Sequence, residues 1–153
     1  MSVTTKPFWH NEGNHQPLVK CVSNIESSYK GDSNKNGVFI DSYIAKFISD
    51  LNKHSLITTW SCSGIQSDHK EALNVKGPYF IIVINQNNFK LATDYIWWVK
   101  VNLKEIRINS FGEGVAFYLT KDIDSRTNES DYVIKCKWNK LHRGLREILT
   151  KKV

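Results

Sequence analysis

With 153 residues, 41% hydrophobic and 24% charged, the chain has ordinary globular composition and enough length to bury a real core in a single domain spanning 1–153. No apolar run approaches the ~18–20 residues a membrane helix needs, and the polar first 22 residues lack a signal-peptide core, so no membrane association and a cytoplasmic location are expected. The formal net charge of +6 is the one departure from average, and it points toward an anionic partner.

In chain order, residues 1–37 are irregular, with a short edge strand expected at 17–22 and turn material at 31–37. Ile40, Tyr43, Ile44, Phe47, Ile48 and Leu51 form an apolar stripe at helical spacing and predict a helix over 40–52. Residues 56–60 read as a β-branched strand running into a Ser-Cys-Ser-Gly loop. A polar connection over 66–76 leads to an apolar run at 78–84, the pattern of a central strand covered on both faces. Four polar residues at 85–88 break it before a second helix, whose stripe is Phe89, Ala92, Ile96, Val99 and Leu103. Strands at 105–111 and 115–119 flank a Gly112-Glu113-Gly114 turn and predict a hairpin. A last helix, about 131–151, carries Ile134, Trp138, Leu141, Leu145 and Ile148 on its apolar face. This order implies an α/β (α+β) domain of two or three layers, with a mixed sheet packed by about three helices. It is not a Rossmann fold, because the Gly-x-Gly-x-x-Gly fingerprint is missing.

Cys21, Cys62 and Cys136 are odd in number and widely spaced, and the five histidines form no ligand pair on one element. Neither a disulfide framework nor a metal site is expected. Positive charge gathers at the C-terminus: residues 131–153 hold seven Lys or Arg against two acids. Within it Lys140, Arg143 and Arg146 are the candidates for contacting nucleic acid, although a solvated helix face explains the same pattern. Trp60, Trp97 and Trp98 are candidates for base stacking. Trp97 and Trp98 point to different sides of their helix, so one must be exposed, and a homodimer contact accounts for it equally well.

The most unusual run is Thr59-Trp60-Ser61-Cys62-Ser63-Gly64, preceded by the turn Asp32-Ser33-Asn34-Lys35-Asn36-Gly37-Val38-Phe39-Ile40-Asp41. Together with the intervening helix this resembles the third tRNA wybutosine-synthesising protein family, which carries an Asp-x-Ser-x-Lys-Gly-x-x-Asp turn and a Thr-x-Ser-Cys-Ser-Gly loop. The turn here has one extra residue. The resemblance spans residues 32–119 and is specific over 32–64. It implies an S-adenosylmethionine-dependent methyltransferase acting on a modified guanine of tRNA in wybutosine synthesis. Three departures mark the chain as a shortened, divergent relative. Ile65 stands where the family has Arg, the middle strand and its histidine are missing between Gly64 and Pro78, and Ile82 or Val83 replaces a second histidine.

Methyl transfer from a sulfonium is an in-line displacement, so the protein must mainly align donor and acceptor and exclude water. The resemblance implies cofactor contacts from Ser61, Cys62, Ser63, Gly64 and Lys35, with Asp32, Asp41 and Ser63 at the reacting centre. Hydroxyls of Ser61 and Ser63 would orient the ligand, Gly64 would admit close backbone approach, and Asp32 or Asp41 would take a proton or bind the cofactor's ammonium or ribose. Structural roles compete: Asp41 suits a helix cap, Asp32 a turn, and Cys62 a small buried position. The alternative to the enzyme is a non-catalytic RNA- or nucleotide-binding protein on the same scaffold.

Overall fold

The computed structural model describes residues 15–17, 39–66, 77–120 and 129–151, and its three helices pack on one face of an antiparallel sheet. Strands β1 (His15–Pro17) and β2 (Phe39–Asp41) form a separate antiparallel ribbon. A 3-10 turn, Ser42–Ile44, then leads into α1 (Ala45–Lys53). The second sheet holds β3 (Thr58–Cys62), β4 (Tyr79–Val83), β5 (Arg107–Phe111) and β6 (Gly114–Tyr118) in the order β3-β4-β6-β5. Helices α2 (Phe89–Asn102) and α3 (Asp131–Thr150) complete the described fold.

Among the described residues, the α+β class and the three α-helices match the sequence pattern, whereas each strand pairing is antiparallel rather than mixed. The reason lies in the crossover through α2. It carries the chain from β4 to β5, which run in the same direction, but β6 inserts between them. The two strands that a helical crossover would otherwise make parallel neighbours are thereby separated, as in a split βαβ unit.

The first helix begins later than its apolar stripe. Pairing of Gln16 with Ile40 and of His15 with Asp41 holds those residues extended, and regular α-helix starts only at Ala45. Of the expected edge strand at 17–22, only Pro17 falls within the described residues, as the end of β1. At its C-terminus α1 closes with a Schellman arrangement. Ser55 N donates to Asn52 O (3.1 Å) and Leu56 N to Leu51 O (2.9 Å), with Ser55 itself in the left-handed region at φ 71°. Strand β3 is therefore displaced two residues toward the C-terminus from its expected place, and Ser61 and Cys62 lie in it, paired with Phe80 and Tyr79.

The core is aromatic at its centre. Phe80 of β4 stacks on Phe117 of β6 at 4.5 Å, and Phe47 of α1 and Trp138 of α3 close over Phe80 at 5.3 and 5.7 Å. Phe89, expected on the buried stripe of α2, is exposed instead, and Tyr95 takes that role through its phenol bond to Leu141 O (2.8 Å). Buried Asn52 fastens α1 to β3, giving Nδ2 to Thr58 Oγ1 (3.0 Å) and accepting Thr58 N at Oδ1 (3.1 Å). Asn88 does the same between elements, donating to Ser55 O and Val83 O at 2.8 Å each.

Candidate functional site

The two stretches singled out in the sequence do approach each other where the described residues allow a view. Strand β2 delivers Asp41 against the end of β3, and Ser63 N donates to Asp41 Oδ2 at 2.8 Å across 22 residues of chain. Asp41 stands at the N-terminal cap position of the 3-10 turn but makes no side-chain cap bond there; its carboxylate is turned to Ser63. Asp32 and Lys35 lie outside the described residues, as do the polar connection at 67–76, residues 121–128 and the side chain of Trp60.

Ser63 is tied on every polar group. Its hydroxyl accepts Ile65 N (3.2 Å), its carbonyl accepts Trp138 Nε1 from α3 (2.8 Å), and its amide is held by Asp41. Gly64 follows at φ 68°, a conformation that favours glycine. The close backbone approach it permits is made by the chain's own proline, since a Cβ at Gly64 would lie 2.6 Å from Pro78 Cδ and 2.7 Å from Pro78 N. One residue beyond, Gln66 N donates to Asp131 Oδ1 at the first turn of α3 (2.9 Å). Strand β2, strand β3, the residue before β4 and helix α3 thus all meet at this loop.

Asp41, Ser61, Cys62, Ser63 and Gly64 are all buried. Ser61 points to the same side of the sheet as Phe80, toward the helices, and its hydroxyl is buried without a hydrogen-bond partner among the described residues. Cys62 faces the opposite side with Tyr79 and Tyr118 in one cross-strand row, which ends at Arg107, its guanidinium 4.7 Å from the Tyr118 ring centroid. Burial, first, and then the nearby Cys62, Tyr118 and Asp41 push the Tyr79 phenol well above its ordinary range. No group of three or more His, Cys, Asp or Glu able to hold a metal is found among the described residues. Cys62 and Cys136 are both free thiols.

The basic helix divides into two sets. Lys137 is drawn inward, donating to Leu119 O (2.8 Å) and Glu129 (2.7 Å), and Lys135 lies over the Tyr43 ring at 5.1 Å. Lys140, Arg143 and Arg146 are exposed on the solvent side of α3, with no ion pair among the described residues. Trp97 is 68% exposed, while Trp98 lies against Gly144 of α3 and donates Nε1 to Glu147 (3.2 Å).

Compared with protein-family models, curated proteins and solved structures, the chain matches none.

Sequence reasoning missed the partners that tie this loop down. Trp138 was legible only as a core position on α3, and Pro78 only as the start of a strand. A usable signal was the glycine itself, which marks a close backbone approach without saying by what. A second was Asn52 at the end of an apolar stripe, where a buried amide needs partners.

Proposed function

We propose that this chain is a non-catalytic RNA-binding protein that contacts phosphate through Lys140, Arg143 and Arg146, and that its Ser-Cys-Ser-Gly loop is a structural junction. The observation that carries the reading is the contrast between the two candidate regions. The amide, hydroxyl and carbonyl of Ser63 are spent on the chain's own atoms and Ser61 is buried beside them, whereas the three cations of α3 stand in solvent. Clustered cations of this kind bind polyanions by releasing condensed counterions. The test is RNA binding measured by anisotropy over a range of salt, with Lys140→Glu, Arg143→Glu and Arg146→Glu combined. Loss of binding with retained thermal stability supports the reading. Undiminished binding removes α3 as the contact surface.

A second reading, S-adenosylmethionine-dependent methyl transfer to tRNA, is favoured by one observation: Asp41 and Ser63, far apart in sequence, meet. The loop as described does not fit the cofactor, because Pro78 fills the face of Gly64 and Ser61 and Ser63 are buried in the chain's own interior. No step is therefore routed through it. Calorimetric titration with S-adenosylmethionine decides between the readings. Saturable heat that Ser63→Ala abolishes would favour the enzyme, and no heat at millimolar cofactor would exclude it.

A further inference from the structure

The outer side of the α2–α3 pair holds a second feature that the basic face of α3 does not account for. Lys90, Asp94, Trp97 and Val101 follow one another at i, i+4, i+7 and i+11, a single stripe along α2. Both apolar members are solvent-exposed, Trp97 at 68% and Val101 at 49%. Tyr95 meets Leu141, and Trp98 meets Gly144 and Glu147, so the contacts advance along both helices together. With Ile148 of α3 and Lys151 at its C-cap, the α2 stripe borders a groove of about 630 Å³ lined also by Trp98 and Asn102.

Gly144 shapes this groove. A Cβ there would come within 2.3 Å of the Trp98 ring, so only glycine lets that ring settle against α3. Trp98 is thereby drawn down into the helix pair while its neighbour Trp97 is left facing water. Asp94, the carboxylate on the groove lining, is paired to Lys90 (3.2 Å), and Glu147 accepts the Trp98 indole N–H. What remains toward solvent is a flat indole face and an aliphatic patch, with the Lys151 ammonium on the same lining.

We infer that this groove takes an unstacked base of single-stranded RNA on Trp97, with an adjoining phosphate on Lys151. This rests on the RNA-binding reading above and adds strand selectivity to it. A duplex keeps its base faces inside its own stack and cannot cover an indole, whereas a single strand presents them.

The experiment measures binding of a short labelled oligouridylate and of an RNA duplex to the full chain, as wild type, Trp97→Ala, Trp97→Phe and the triple Glu variant of α3. Loss of one base stack weakens single-strand binding by about 10-fold in Trp97→Ala. Trp97→Phe should lose less, since a ring remains, and duplex affinity should change little in either. Quenching of tryptophan emission by oligouridylate should drop in both Trp97 variants. The triple variant should lose both RNAs alike, which separates the two ideas. If it does so while Trp97→Ala binds oligouridylate normally, the groove proposal falls and the RNA reading stands. If the wild type binds neither RNA, both fall. If Trp97→Ala instead shifts sedimentation from dimer to monomer and leaves RNA binding alone, the groove is a self-association surface and the proposal is overturned.

Discussion

Replacing Gly64 by Ala tests whether the Ser-Cys-Ser-Gly loop is a closed junction or an open ligand seat. Gly64 has φ 68°, and placing a side chain in the left-handed region costs about 1–2 kcal/mol. The added Cβ would also lie 2.6–2.8 Å from three atoms of Pro78, two in its ring side chain and one its backbone nitrogen. Proline cannot swing aside as a flexible chain would, so overpacking adds about 1–3 kcal/mol. The total, about 2–5 kcal/mol, corresponds to a fall in Tm on the order of 5–15 °C for a chain of this size. Gly112 supplies the control: its φ is 59°, and a Cβ there meets nothing within 4 Å. Gly112→Ala should cost only the backbone part, about 1–2 kcal/mol. Urea unfolding followed by tryptophan fluorescence gives both values, provided the two variants keep the wild-type m-value. Equal losses for the two variants would mean that Pro78 does not seal Gly64 in solution, and the junction reading would be refuted.

Other outcomes follow from the same structure. Ser55→Gly should stabilise the protein by about 0.5–1 kcal/mol in the same unfolding assay, because it relieves the left-handed serine at the end of α1; a destabilised variant would contradict that geometry. Asn52→Leu should cost about 2–3 kcal/mol, since Thr58 N is left buried without its acceptor, and the loss should appear as a lower urea midpoint. Burial pushes the Tyr95 phenol well above its ordinary value, and Tyr79 is raised as well. The folded state therefore keeps protons that the unfolded chain releases near pH 10, so the stabilisation is whole below that pH and declines above it. Ultraviolet titration should show tyrosinate from these two phenols only as the protein unfolds, and Tyr95→Phe should remove one late-titrating group. If the α3 cations each hold one phosphate, the triple Glu variant should flatten the log affinity against log salt plot by ~2–3 in slope.

Local periodicity sufficed for much of the architecture. The stripes of α2 and α3, the apolar run of β4 and the Gly112-Glu113 turn located their elements closely, because each depends on neighbours a few residues away. The start of α1 was not legible. Ile40 and Asp41 continue a helical pattern, yet their partners in β1, Gln16 and His15, stand 24 and 26 residues earlier and hold them extended. Strand direction escaped for the same reason, since nothing in β4 or β5 announces that β6 will lie between them.

For the candidate site, the sequence alone determined which residue types were unusual: small hydroxyl residues before a glycine, an acid at Asp41, a basic last helix and one tryptophan with no room in the core. Those are properties of composition and spacing, and they survive in the fold as the Asp41–Ser63 bond, the exposed cations of α3 and the exposed Trp97. Tertiary structure alone decided which of them face water. Trp138, 75 residues beyond Ser63, holds the Ser63 carbonyl, Pro78 packs against Gly64 across the loop, and Gly144 draws Trp98 down while Trp97 stays out. Accessibility depends on what packs opposite, and that partner is set by the path of the whole chain.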